Sequence, residues 1–454
     1  MKKLNLTHKK RHAKTRGRSR VGAAISRPPK GTRAIYNRPY MVAAMCLALA
    51  LFCGNLATAG SPQPGGTLRW MAYNARSARV TYLAYLAQEL PELAVHYDYV
   101  PVDYFTGTLS AQLLSGKGPD LIEGGGETRL LASTRKLLDL TDEPFLAQYR
   151  QAGLAPFSVD GRVYAVPLQS WFEGIYYNKA IFAEHGLRPP ATFDDWIDLH
   201  KALRAAGVKP QTMGAQSWAP LMKQSIGVVN NEFYARPENA GFDAAFDRGE
   251  AKLAEDWLPA VTLWSRMIDE GCLTPDMLSY SDEQALMEFA AGEAAMWESG
   301  PWSLGEILRV NPDIELGMFP FPGAEGGTGW LVGGPGSALA VNVDSPNKEA
   351  ALCVLAATAT REAQQALIAD NMGEPYLEGM RVDFGPVYAE CADAFALEQV
   401  YAPWTAAWTF GNPIVEAYGK ALQEVLAGSK TVEQALAEAD AVNEHMRAVL
   451  VGDP

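Results

Sequence analysis

Cysteine and histidine are both scarce in this 454-residue chain, and their scarcity removes whole classes of chemistry. Of five cysteines, Cys46 and Cys53 fall in an apolar segment near the start. The other three, Cys272, Cys353 and Cys391, allow at most one internal disulfide, so cross-linking does not hold this fold together. Beyond residue 60 the histidines are His96, His185, His200 and His445. No HExxH, no paired CxxC, no glycine loop ending in Gly-Lys-Ser/Thr and no GxSxG elbow is present. The expectation is a protein that is not an enzyme and carries no metal or cofactor. A Ser–His–Asp triad scattered along the chain is the one arrangement these absences leave open. Acid pairs such as Asp194-Asp195 and Asp282-Glu283 read as solvated helix starts rather than glycosidase acids.

Basic residues are also missing from most of the chain. Residues 1–59 take 13 of the 39 Lys and Arg and hold no Asp or Glu; the remaining 26 face all 52 acids, a net charge of −26. A body that acidic repels phosphate backbones, which excludes nucleic acid as a partner. The basic head leads into the apolar run Met41–Cys53 and then Ala57-Thr58-Ala59, a small-x-small cleavage site. That order is a secretory signal, with an apolar core too short to span a bilayer as a helix. Residues 1–59 are therefore expected to be a leader and cleaved signal, and the protein to be periplasmic or extracellular. No later apolar run approaches about 18 residues, so the body is expected to be soluble.

What is present is an alternation of strand and helix patterns. Leu68, Trp70 and Ala72 alternate as a strand, and Ser77–Leu90 reads as a helix stopped by Pro91. Leu93, Val95, Tyr97 and Tyr99 alternate again; after a helical stretch, Asp120-Leu121-Ile122 runs into Gly124-Gly125-Gly126. This order predicts α/β architecture with a parallel or mixed sheet. Thr192 caps a helix whose apolar face carries Phe193, Trp196, Ile197, His200 and Leu203, so His200 is expected in the core. Ser281 with Gln284 and Thr431 with Gln434 form capping-box patterns. The last helix should bury Val432, Leu436, Ala439, Val442, Met446 and Val449. Pro320–Gly336, with seven glycines from Gly323 onward, looks like a loop or a crossover between lobes.

Eleven tryptophans is a high count, and several lie beside turn formers. Trp171, Trp218, Trp302, Trp330, Trp404 and Trp408 sit near Pro or Gly rather than inside periodic segments. Loop-borne indoles beside amides and carboxylates suit sugars, whose C–H faces stack on rings while hydroxyls find polar partners.

Seven short stretches, in order, carry a resemblance. They are Gly118–Ile122, Asp160–Pro167, Tyr176–Lys179, Pro190–Asp195, Gly292–Met296 with Gly300–Trp302, Phe319–Gly323 and Thr431–Leu436. Together they resemble the extracellular solute-binding proteins of carbohydrate ABC transporters, the family 1 or maltose-binding-protein group. The resemblance covers about Gly65 to Asn443 and implies a type II periplasmic-binding fold: two α/β lobes, a hinge and a ligand cleft between them. It places the first lobe at 65–168 plus 333–380 and the second at 169–332 plus 381–454. It implies a monomer that captures a carbohydrate, most simply an oligosaccharide, and docks on membrane permease subunits. The alternatives are a polyol, a sugar phosphate or a polyamine as solute, or a secreted carbohydrate-active enzyme. Ligand contacts are carried over to Asn74, Glu123, Glu127, Trp171, Trp218, Trp302, Trp330 and Trp408. A phosphate ligand would need a cation, and Arg76 and Arg129 are the cations expected in these segments.

Overall fold

The computed structural model describes residues 67–370 and 372–451; the expected leader and signal lie outside them. Its strands are β1 (Thr67–Ala72), β2 (Ala94–Tyr99), β3 (Leu121–Gly124), β4 (Ser158–Val159), β5 (Arg162–Val163), β6 (Ala165–Pro167) and β7 (Ser170–Asn178). They continue with β8 (Lys209–Thr212), β9 (Ala294–Ser299), β10 (Leu316–Phe319), β11 (Leu331–Pro335), β12 (Ala338–Val341) and β13 (Val400–Tyr401). Apart from the small β4–β5 hairpin they form two sheets, ordered β2-β1-β3-β12-β6 and β13-β11-β7-β9-β8, with β10 also paired to β7.

In the first sheet β1 runs parallel to β2 and β3, and β12 runs antiparallel to β3 and β6. The strand period of two explains its burial on both faces. Leu68, Trp70 and Ala72 pack with Tyr82, Leu86 and Leu355, whereas Met71 and Ile122 meet Phe105, Leu109 and Leu113. In the second sheet the nine-residue β7 is the spine. It bonds β11 through Ser170–Glu173, β10 through Ile175–Asn178 and β9 through Gly174–Tyr177.

Local signals set the helix starts. Thr192 and Asp195 exchange the reciprocal bonds of a capping box, as do Ser281 and Gln284. The first expected helix differs. Residues 76–79 form a 3-10 turn, and the α-helix begins only at Val80. Arg79 breaks the run, with φ −143° and ψ 17°, because its side chain turns into the protein instead of out to solvent. The Asp370 carboxylate then accepts the orphan N–H groups of Thr81 and Tyr82, both at 2.8 Å. In the last helix, Val432–Val451, the buried stripe covers Val432, Leu436 and Ala439, but Val449 is 65% exposed because the helix has run past the body it packs on.

The chain passes between the two sheets three times. Leu168 N–H donates to the Ser337 carbonyl at 2.9 Å and Gly336 N–H to the Gln169 carbonyl at 3.0 Å, so the first two passages are paired to each other. The third lies between Met380, buried with the first sheet's helices, and Tyr388, buried against the second sheet. Residues 333–335, expected with the first lobe, are in β11 of the second sheet. Gly333 allows this: a Cβ there would sit 2.2 Å from the Trp171 carbonyl oxygen. Among the described residues no helix is long and apolar enough to cross a membrane.

His200 is fully buried, as expected, with Nδ1 2.8 Å from the Trp196 carbonyl and Nε2 3.2 Å from the Gln211 side-chain amide. Burial lowers its pKa to about 4, so the folded state holds it neutral. A pKa below the unfolded value means stability that is complete above the unfolded pKa and is lost as pH falls. Between pH 6.5 and 4 His200 should therefore remove about 3 kcal/mol. Urea unfolding of wild type and His200→Gln at pH 7 and pH 4.5 measures this; the variant should lose less stability over that interval.

Candidate functional site

The ends of β1, β3 and β6, the start of β7 and the paired passages converge on one cavity of about 390 Å³. Strand ends are where an α/β sheet leaves backbone and loop groups free to face a ligand. Tyr73 and Asn74 enter it directly after β1, Gly125–Glu127 after β3, and Gln169–Trp171 at the first passage. Gly336 and Ser337 come from the second passage, Trp302 from the turn after β9, and Thr405 and Asn412 from the C-terminal third.

Beneath this cavity lies a buried ion pair. Arg79 Nη2 is 2.6 Å from Glu123 Oε1, and the two side chains are 1% and 0% exposed. The same guanidinium donates to Ser337 Oγ at 3.0 Å and Gln169 Oε1 at 3.3 Å, one residue from each paired passage. Asn74 Nδ2 donates to Glu123 Oε1 at 2.7 Å, and the Tyr97 hydroxyl lies 2.9 Å from the Asn74 carbonyl. Burial works against the charge on Arg79, and Glu123 more than offsets it. Burial, reinforced by Glu127 and Glu123, pushes the Tyr73 phenol far up, so its hydroxyl stays protonated as a donor.

The opposite wall is aromatic. Trp171 lies 6.5 Å from Trp302 and 5.7 Å from Trp404, ring centre to ring centre. Trp404 is buried behind Trp171, whereas Trp302 is 48% exposed and presents a free indole. Glu127 closes one end: its carboxylate accepts from Gly125 N–H at 3.1 Å, Thr106 Oγ1 at 3.2 Å and Asn412 Nδ2 at 3.1 Å. Gly126 lets this segment approach the second sheet's side, since a Cβ there would lie 3.3 Å from the Trp404 carbonyl.

Four of the eight expected contacts, Asn74, Glu127, Trp171 and Trp302, line the cavity. Glu123 lies behind it, neutralised by Arg79. Trp408 is a core residue, 1% exposed, whose Nε1 donates to Asp243 Oδ1 at 2.8 Å. Trp218 precedes the helix Ala219–Val229 and packs on Gly419. Trp330 bridges to Phe321 across a glycine-rich loop. All three lie outside the cavity lining. The expected cations are also elsewhere: Arg76 is exposed, and Arg129 donates to the Ser158 carbonyl. The cation in the lining is Arg79, which sequence reasoning missed along with Tyr73, Gln169, Ser337 and Thr405. The cavity lining combines two indoles, amides, hydroxyls and one carboxylate with a cation that is already paired. It can hold a neutral, hydroxyl-rich molecule, and among the described residues no group of acids, His or Cys is placed to hold a metal.

Arg79→Met would leave Glu123 buried without its cation, which costs about 3–5 kcal/mol. The double variant Arg79→Met with Glu123→Leu should regain most of that in chemical denaturation. Equal losses in the single and double variants would show that the two residues do not act as a unit.

Comparison with known proteins places this geometry. The family profile described as "Bacterial extracellular solute-binding protein" matches residues 77–366. The "Multiple sugar-binding protein" of Streptococcus mutans serotype c is 28% identical over 307 residues, 65% of this chain and 71% of that one. The "Melibiose/raffinose/stachyose-binding protein" of Bacillus subtilis is 23% identical over 275 residues, 56% of this chain and 60% of that one. A family 1 extracellular solute-binding protein from Bifidobacterium longum subsp. infantis shares the fold, with TM-score 0.70, 20% identity, and coverage of 83% of this chain and 98% of its own. The two-lobed α/β architecture expected from sequence is thus the observed one. With the family profile spanning well over half of its length, the chain belongs to the bacterial extracellular solute-binding proteins.

Proposed function

We propose that this protein is the solute-capturing component of an ABC importer, and that its solute is a neutral carbohydrate, most simply an oligosaccharide, held between two lobes. The observation that carries the reading is the cleft itself: exposed Trp302 and half-buried Trp171 stand opposite amides and hydroxyls, and the lining cation is already paired with Glu123. One stacked sugar ring removes ~50–100 Å² of apolar surface, which contributes about 1–2.5 kcal/mol. Two such contacts with oriented hydrogen bonds reach the ~8 kcal/mol of micromolar binding once association costs are met. The sugars named for the Streptococcus mutans and Bacillus subtilis relatives point the same way. A sugar phosphate fits less well, because a phosphate needs an unpaired cation. The protein acts by binding, without covalent chemistry.

In this reading residues 67–168 with 336–370 and 372–380 form one lobe and 169–335 with 381–451 the other. Asn74 and Glu127 contact the solute from the first; Trp171 and Trp302 do so from the second. Closure follows because a ligand that touches both lobes binds the closed form better. Export through a signal cleaved near Ala59 would deliver a monomer to a membrane permease outside the cytoplasm.

Thermal unfolding of residues 60–454 with mono- and oligosaccharides, polyols, sugar phosphates and polyamines at millimolar concentration tests this. A ligand at ~1,000 times its dissociation constant adds about 4 kcal/mol, so one class of neutral sugar should raise the melting temperature clearly. A rise with phosphates alone, or with no sugar, overturns the carbohydrate reading. Trp302→Ala should then weaken binding of the responding sugar at least about tenfold with little loss of melting temperature.

A further inference from the structure

A second cavity, of about 350 Å³, shares Trp302 with the cleft but is otherwise built from the second sheet and its helices. Its floor follows from strand register. β8 ends at Thr212 opposite Trp297, so Glu298 on β9 lies beyond the last β8 pairing. Glu298 stands opposite Ile175 of β7 and therefore shares a face with Glu173, two residues before it. Lys223 Nζ donates to Glu173 Oε1 at 2.5 Å, which settles that pair. Glu298 is left over. It is 6% exposed, it lines the cavity, and neither of its oxygens has a hydrogen-bond partner among the described residues. A carboxyl buried in that state is the arrangement folded proteins avoid unless something else meets it.

The charge count says what would meet it. Five carboxylates line this cavity against two cations, Lys223 and Arg309. Lys223 is committed to Glu173, and Arg309 to Glu306 at the rim. Asp282, Glu283 and Glu298 remain unbalanced, Glu283 at the exposed rim and Glu298 in the interior, with the Trp302 indole beside them. Burial, then the neighbouring Glu173 and Asp282, push the Glu298 carboxyl well above the ordinary carboxylate range, and Lys223 only partly opposes them. Hydroxyl groups would bond these acids but leave their charge uncompensated. A metal ion is disfavoured, because no set of acids, His or Cys among the described residues is close enough to hold one. An ammonium group supplies the charge, three donors and a cation for the Trp302 indole face.

We propose that this second cavity is a subsite for a protonated amine, and that the solute is an oligosaccharide bearing a free amino sugar that passes Trp302 to reach Glu298 and Asp282. The assignment rests on the carbohydrate reading of the cleft and narrows it to one substrate class.

The test is calorimetric titration of the 60–454 protein at pH 6.5 with two- to four-unit glucosamine oligosaccharides. Their N-acetylated forms and neutral glucose oligosaccharides of equal length serve for comparison. The free-amine series should bind at least about tenfold more tightly than either neutral series, and Glu298→Gln should bring that ratio close to one. Asp282→Asn, at an exposed helix start, should reduce the same ratio and serves as the second variant if Glu298→Gln folds poorly. Equal binding of the amine and neutral series, or an amine preference that survives both substitutions, overturns the subsite while leaving the cleft a sugar site. If no oligosaccharide of any series binds, the carbohydrate reading falls and the subsite falls with it.

Discussion

One guanidinium holds the architecture of the cleft together. Arg79 is buried against Glu123 and also reaches Gln169 and Ser337, one residue from each of the two paired passages between the sheets. A buried ion pair is costly to assemble and costly to break from one side. Its usefulness here is geometric, since a planar donor with a fixed fork can bind three partners at set angles. The end of β3 and both passages are thereby referred to a single point. The start of the neighbouring helix is adjusted to suit, with Arg79 outside helical geometry and Asp370 capping the turn that follows.

The two sides of the cleft use opposite kinds of surface. Below lie amides, hydroxyls and a neutralised charge; facing them are indoles whose placement depends on very close backbone approach. Gly333 lies against the Trp171 carbonyl, and a Cβ on Gly300 would fall 2.2 Å from the Trp302 ring. Any larger residue would displace an aromatic wall without touching a ligand. The second cavity reverses the balance, since there the Trp302 indole borders carboxylates that outnumber their cations.

The parts of this structure written in local pattern were legible in the sequence. Thr192 and Ser281 announce their helices because cap and first turn lie within four residues, and β1 shows its alternation in six. The resemblance to a known family carried the two-lobed arrangement. What stayed hidden depended on distant contacts. An arginine at position 79 reads as a solvent-facing helix residue until β3 brings Glu123, 44 residues away, beneath it. Proline neighbours marked Trp404 and Trp408 alike, yet Trp404 backs the cleft wall and Trp408 lies in the core on Asp243, because the turn between them decides which way each ring points. Glu298 did carry a signal: it is the one acid in the otherwise uncharged strand Ala294–Ser299.

Three passages between the sheets are an odd number. The first described strand, β1, therefore belongs to one sheet, while the last helix packs in the core of the other, where Leu436 and Ala439 meet Trp257 and Tyr418. An even number would have returned the chain to its starting side and left both ends moving together. Here the two ends of the described chain lie on different halves, so a rotation of one half about a hinge between them moves one end relative to the other. A pair of dyes near Thr67 and the final helix would read that rotation as a change in energy transfer, without a label anywhere near the cleft.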